Sequence, residues 1–275
     1  SLELATIPAA ALVNFDLGGR RSAEGAMKMV LSSAFASGIF LFGISLLYGS
    51  FGTIQFSEMG ILWKGDVLQS IGFVLLLCGF AFKLSAVPFH LWTADVYEGA
   101  PVPVTAFLSV VSKAAAAFIF ITVLYRIFLS SIGWIRILLI VLALLTLLVG
   151  NLFALRQNQL KRFIAFSSIT QVGFILVAIT SGSSTGVAAV VYFLLIYLFS
   201  NLAFFGVVSA VSRETGRETI DELRGLYQEN KFLGWVLVIA LFSLAGVPPT
   251  AGFFGKLFLI MAGAIKGSVG FIMIV

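Results

Sequence analysis

What most constrains this chain is a series of apolar runs, each about as long as a bilayer is thick. A helix that crosses the hydrocarbon core needs about 20 mainly apolar residues. Runs of that length are read over 26–48, 67–87, 104–125, 134–154, 163–181 and 187–211. A partial run covers 1–15, a longer one covers 232–262, and another begins near 266. They lack the period-2 polar alternation of a membrane barrel. The pattern predicts an all-α, polytopic membrane protein. Composition agrees: 60% of the 275 residues are hydrophobic and only 11% are charged, too little charge to cover a soluble domain of this size. The chain opens without Met or a signal-peptide pattern and stops on FIMIV, so it reads as a piece of a longer polytopic protein.

Charge tests the arrangement. With the 16–25 loop on the cytoplasmic side, that side receives Arg20, Arg21, Lys28, Arg156, Lys161, Arg162, Arg213, Arg217, Arg224 and Lys231. The opposite side receives Lys64, Arg126, Arg136 and Lys266. Such an imbalance is expected of a correctly placed set of spans. Trp63, Trp134 and Trp235 fall at predicted span ends, where indole rings favour the interface. The net charge of +5 is not gathered into a basic cluster with aromatics, so nucleic acid is not an expected partner. A single cysteine, Cys78, excludes a disulfide within the chain and a multi-cysteine metal site. The charged stretch SRETGRETIDELRGLYQENK at 212–231 is read as a short amphipathic surface helix or a solvated connector.

Three basic residues have no loop to claim them: Lys83, Lys113 and Lys256. A lysine at the centre of a spanning helix costs about 2.5–3.5 kcal/mol on insertion scales. Snorkelling, with the stem in lipid and the ammonium at the interface, is the ordinary alternative. It suits Lys28, next to the Arg20–Arg21 loop, better than Lys113, which lies ten residues into its span between SVVS and AAAAF. Glu3 is the lone acid in an apolar stretch near the start. A buried carboxylate requires a cationic partner, and Lys83 is the first choice. Burial and a neighbouring carboxylate act in opposite senses on an amine. A lysine held between them changes protonation when its partner moves, as a proton relay requires.

Two of the spans carry proline breaks. Val87–Pro88 follows Lys83, and the segment PFHLWTADVYEGAPVP (88–103) is either a loop or the second part of a broken helix. The run at 232–262 is interrupted by Gly246-Val247-Pro248-Pro249, with Lys256 close behind. LSAVP at 84–88 resembles LAGVP at 244–248, and the spans that bear them are five apart, so they cross in opposite directions. Two matching broken helices in an inverted arrangement point to a transport path near the midplane. Freed backbone at that depth is tolerated only in protein or beside a wet cavity.

The runs FKLSAVPFHLWTADVYEGAPVPVTAFLSVVSK (82–113), LKRFIAFSSITQVGF (160–174), LAGVPPTAGFFGKLFL (244–259) and GAMKMVLSSAFASGIFLFGISLLYG (25–49) closely resemble the antiporter-like membrane subunits of respiratory complex I. Within that family they resemble the group of subunit N, which has chloroplast and mitochondrial relatives. The resemblance implies an antiporter-like fold of two inverted repeats, divided here as residues 1–130 and 131–275, each truncated. It implies proton translocation driven by redox chemistry elsewhere in an NADH:quinone oxidoreductase. Glu3 in its ELxxIP context, Lys83, Lys113 and Lys256 match the family's relay residues, and His90 is a secondary member or a structural helix-end residue. No cofactor is expected in this chain; NADH, FMN, iron–sulfur clusters and quinone belong to other subunits. The implied partners are other membrane-arm subunits, including further antiporter-like ones, together with lipid, protons and internal water. The implied location is a bacterial inner membrane. Two other readings stay open: a stand-alone Na+ or K+/H+ antiporter of the same fold, and a membrane scaffold that transports nothing.

Overall fold

The structure is a computed structural model that describes residues 4–128 and 132–264. Glu3 and the span expected from about 266 lie outside the described residues. The helices are α1 (Thr6–Val13), α2 (Arg20–Phe51), α3 (Phe56–Leu62), α4 (Val67–Leu84) and α5 (Leu91–Gly99). A crossing of 26 residues follows, Val102–Ile127. It consists of α6 (Val102–Phe107), a π-helical turn at Leu108–Ser112 and α7 (Lys113–Ile127). Then come α8 (Ile132–Ala154), α9 (Leu160–Ile179), α10 (Ser184–Thr215), α11 (Leu226–Glu229), α12 (Lys231–Ala245) and α13 (Ala251–Ala264). Among the described residues six helices are long and apolar enough to cross a membrane, and a single Gln159–Thr219 bridge is the only strand-type pairing. The chain is an all-α, multi-pass membrane protein, as its apolar runs predict.

Small residues set the helix spacing. A Cβ on Gly43 of α2 would lie 2.8 Å from the Leu76 nitrogen of α4, and one on Gly150 of α8 would lie 2.8 Å from the Thr170 nitrogen of α9. These glycines let backbones approach where apolar lipid gives helices little reason to associate otherwise. α9 forms the inner post of the bundle, buried along most of its length, whereas α2 keeps a broad apolar face outward.

Ion pairs identify one end of the molecule. Lys28 on α2 pairs with Glu24 at 2.6 Å and with Asp95 on α5 at 2.7 Å. Arg162 on α9 pairs with Asp95 and with Glu98, each at 2.7 Å, and Arg21 reaches Glu98 at 3.4 Å. The start of α2, the end of α5 and the start of α9 therefore meet at one end. The 216–230 connector joins them, since Leu160 N–H donates to Glu218 O at 3.0 Å and Ile220 N–H to Asn158 O at 2.8 Å. This is where the charge count put the basic loops. It also resolves 88–103: α5 within it is the second half of a broken crossing and Val102 already starts the next, and α4–α5 runs toward this end while α12–α13 runs away from it.

Three expectations are made more specific. Lys28 reaches the charged end beside the Arg20–Arg21 loop, as expected, and its half-exposed ammonium is there paired with two carboxylates of the chain itself. Trp63 is no interfacial residue but is 6% exposed, edge-on to Phe128 at 4.7 Å, whereas Trp235 is 56% exposed. Of the two readings of 212–231, the solvated connector holds and the single amphipathic helix does not. α10 continues to Thr215, and left-handed Gly216 and Gly225 leave room only for a 3-10 turn at Asp221–Leu223 and for α11.

Both breaks are built on the same cap. At the end of α4, Ser85 is left-handed (φ 63°), its N–H bonds Phe82 O, and Ala86 N–H reaches Ala81 O at 2.8 Å. At the end of α12, Gly246 is left-handed (φ 78°), its N–H bonds Ser243 O, and Val247 N–H reaches Phe242 O at 3.0 Å. This is the Schellman pattern, which satisfies carbonyls that a helix end leaves free. It pairs Ser85 with Gly246 and Pro88 with Pro249. The LSAVP–LAGVP match is therefore one residue out of register, because it pairs Pro88 with Pro248. The true register explains a difference between the breaks. Val87 keeps an N–H that the break leaves free, and Thr146 Oγ1 on α8 accepts it at 3.1 Å. Its counterpart is Pro248, which has no N–H to satisfy. Thr146→Val, nearly equal in volume, should cost about 1–3 kcal/mol by orphaning that donor, read as a lower unfolding midpoint in detergent.

Candidate functional site

Lys113 is the most enclosed of the stranded amines. The π turn before it widens the helix and rotates the residues that follow about the axis. Lys113 is thereby turned inward, to 2% exposure. Its Nζ donates to Ser168 Oγ on α9 at 2.7 Å, and Ser168 donates in turn to Ala165 O at 2.7 Å. The Tyr97 ring of α5 lies 5.7 Å from the ammonium. Among the described residues no carboxylate stands within ion-pair distance of Lys113 or Lys256; the ion pairs lie on α2, α5, α9 and the 217–229 connector.

Lys83 lies in the last turn of α4 and donates to Thr6 Oγ1 on α1. It lines a cavity of about 350 Å3 whose wall includes Thr6, Pro8, Met29, Trp92 and Ser112. Lys256, half-buried, projects back across the second break, as side chains on a helix lean toward its N-terminus. Its Nζ donates to Leu244 O at 2.8 Å and to Ala245 O at 3.1 Å. These are end carbonyls of α12, where the helix dipole is negative and a cation is favoured. The Phe174 ring of α9 is 4.9 Å away. A Cβ on Gly246 would lie 2.9 Å from Lys256 Cδ, so the left-handed glycine also makes room for the stem. Lys256 lines a second cavity of about 340 Å3, with Asn151, Ser167, Thr170 and Gln171.

The contact between Lys113 and Ser168 stands between the walls of these cavities. Ser112, next to Lys113, lines the first, and Ser167, next to Ser168, lines the second. On α9, Ser168, Gln171 and Phe174 follow at intervals of three and share a face, with a rise of about 4.5 Å at each step. Gln171 Nε2 donates to Leu244 O at 3.2 Å, the carbonyl that also holds Lys256. The three lysines thus sit on one stretch of the interior that runs from α1 across α9 to α12.

His90 occupies the N-cap position of α5 but makes no side-chain cap bond, and among the described residues its buried Nδ1 makes no hydrogen bond of ordinary geometry. Among the described residues no hydrogen bond links it to a lysine. Glu3 lies outside the described residues. Several polar groups of the site escape a reading of the sequence: Thr6, Tyr97, Thr146, Ser168, Gln171, Tyr197 and Asn201. A serine or threonine in a spanning helix commonly bonds its own backbone, so residue type alone does not single these out. Asp95, Glu98 and Arg162 are legible as charges flanking spans but not as partners. Among the described residues no group of three His, Cys, Asp or Glu side chains is placed to hold a metal.

Residues 1–275 match the family described as NADH:quinone oxidoreductase/Mrp antiporter, TM. The chain is 51% identical, over 265 residues, to the NADH-quinone oxidoreductase subunit N of Azobacteroides pseudotrichonymphae genomovar. CFP2, covering 96% of this chain and 55% of that relative. It thus spans about half the length of the curated relatives it matches. Among solved structures it is similar to a chain of respiratory complex I from Thermus thermophilus. There the TM-score is 0.83 at 34% identity, over 99% of this chain and 59% of that one. It is similar also to a chain of an archaeal membrane-bound sulfane sulfur reductase, with a TM-score of 0.91 at 31% identity, over 99% of this chain and 56% of that one. Both structures are multi-subunit membrane complexes.

Proposed function

The chain belongs to the NADH:quinone oxidoreductase/Mrp antiporter transmembrane family, and from that premise we propose that it is the proton-translocating region of a membrane-arm subunit of an NADH:quinone oxidoreductase. Protons move over Glu3, Lys83, Lys113 and Lys256, with His90 as a secondary group. The redox chemistry of NADH, FMN, iron–sulfur clusters and quinone takes place in other subunits and reaches this chain through conformation or charge. Residues 1–130 and 131–275 belong to two inverted repeats, each carrying one broken helix. The partners are further membrane-arm subunits, and the location is a bacterial inner membrane.

The observation that carries this reading is Lys113. An amine in an apolar interior, without a carboxylate nearby among the described residues, is costly to keep charged. It therefore gives up a proton readily and takes one when the field around it changes. Its position between the walls of two cavities, one at Lys83 and one at Lys256, supports traffic through it.

The test is NADH-driven proton movement in vesicles that hold the whole complex, taken per NADH oxidised and at measured complex abundance. Lys83→Met should lower it at near-normal abundance. Lys256→Arg should be mild, because a guanidinium keeps the charge and can donate to the Leu244 and Ala245 carbonyls. Lys256→Ala removes both charge and cap and should lower proton movement and abundance together. Loss of abundance with undiminished proton movement per complex, in both Lys83→Met and Lys256→Ala, would make this chain a scaffold. Sodium- or potassium-dependent flux from the protein without the rest of the complex would make it an antiporter.

A further inference from the structure

We propose that between Lys113 and Lys256 the proton travels over hydroxyl groups gathered around α10, with Tyr97 and Tyr197 as its first carriers, and not directly along α9 through Gln171; this rests on the relay reading above. Ser168 is the nearest hydroxyl to Lys113 but a poor carrier. Its one proton is given to Ala165 O, so toward Lys113 it acts only as an acceptor. Ser168 is a positioning residue that holds the ammonium still.

Two phenols stand around the same serine. The Tyr97 hydroxyl neighbours Ser168, and the Tyr197 hydroxyl of α10 neighbours both Ser168 and Asn201. Both side chains are buried, and among the described residues neither hydroxyl, nor Asn201 Oδ1, makes a hydrogen bond of ordinary geometry. A hydroxyl free on both its donor and acceptor sides can take a proton from one neighbour while releasing its own to another. One turn farther along α10, Ser200 Oγ lies 2.7 Å from Ser243 Oγ on α12, and either can be the donor. Ser243 is two residues before Ala245, whose carbonyl accepts from Lys256.

Gln171 offers the shorter connection, since it shares the Leu244 carbonyl with Lys256. An amide, however, passes a proton only by way of its imidic-acid tautomer, and a carbonyl only by becoming an oxocation. Gln171 therefore holds the site together without carrying. Along the hydroxyl route a Lys113 Nζ–H bond breaks as an O–H bond forms on a tyrosine, whose own proton leaves for the second tyrosine. Water carries it to the Ser200–Ser243 pair and on to Lys256 Nζ. Every hydroxyl ends with one proton, as it began, and Lys113 is left a neutral amine. Lys256 is built to receive: as an amine it has two N–H groups for its two carbonyls and one lone pair for the arriving proton.

Phenylalanine tests this with little disturbance, because among the described residues neither phenol hydroxyl makes a hydrogen bond of ordinary geometry. In the whole complex, Tyr97→Phe, Tyr197→Phe and Ser243→Ala should each lower proton movement per NADH at normal abundance. Each should also change the solvent deuterium isotope effect on that movement, which a packing role would leave alone. Tyr192→Phe, on the outer face of α10 against Phe258, should leave both unchanged. If Lys113→Met stops proton movement while all three hydroxyl variants move protons normally, the route is wrong and the relay stands. If Lys113→Met also moves protons normally, the relay itself is wrong. Should one variant fail to assemble, the remaining two decide the matter.

Discussion

Lys113→Met should remove the proton movement that depends on this chain while the complex assembles at close to normal abundance. Two magnitudes set that expectation. Removing an amine from the hydrocarbon interior recovers about 2.5–3.5 kcal/mol of insertion cost. Losing a hydrogen bond to a charged group forfeits about 1.5–3 kcal/mol. The terms nearly cancel, so stability should hardly move. Ser168 is left without an orphaned donor, since its proton already goes to Ala165 O. Methionine has nearly the length of lysine and adapts to irregular apolar surroundings, so the contact with Tyr97 stays filled. A lysine retained only for structure would behave in the opposite way, losing abundance and keeping its proton movement per complex. Vesicle measurements of proton movement per NADH, beside quantification of the assembled complex, separate the two.

Gly252→Ala should be the most damaging small substitution in the second broken helix. A Cβ at this position would overlap Ser243 O and lie 2.6 Å from its carbonyl carbon. The obstacle is backbone in the last turn of α12, not the tip of a flexible side chain, so it cannot turn aside. Relief requires α13 to move off α12, which would draw Lys256 away from the Leu244 and Ala245 carbonyls. We expect a cost of about 3 kcal/mol or more, at the upper end for overpacking, seen as poor assembly and a lowered unfolding midpoint. Gly206→Ala on α10 is the control. Nothing lies within 4 Å of its would-be Cβ, and alanine is the better helix former by about 1 kcal/mol. Equal behaviour of the two variants would mean that α12 and α13 do not pack as described.

Much of the site is legible as an anomaly before it is legible as a place. Lys83, Lys113 and Lys256 stand out because transfer energy is a property of residue and surroundings, and the surroundings are plain from neighbours in the chain. Their partners do not stand out. Lys113 meets Ser168 across 55 residues, Val87 meets Thr146 across 59 and Gln171 meets Leu244 across 73. The ordinary residues that receive these bonds carry no local mark. The register of the two breaks illustrates the limit. Letter matching aligns Pro88 with Pro248, whereas the left-handed residue and the bond that spans it align Pro88 with Pro249. Backbone conformation decides the equivalence, and a side-chain alphabet reports it only indirectly.

Among the described residues, the amino-acid order by itself marked six apolar helices long enough to cross, where two further runs break at proline, and which lysines fall inside apolar runs. Each depends on hydrophobicity, helix period or proline over a few turns, and those act locally. Only the tertiary structure decided that Lys28 belongs to an ion-pair cluster, that Trp63 is core, and that Lys256 caps the carbonyls of the half-helix before it. These outcomes depend on which helices become neighbours, and that is settled by the close fit of surfaces distant in the chain.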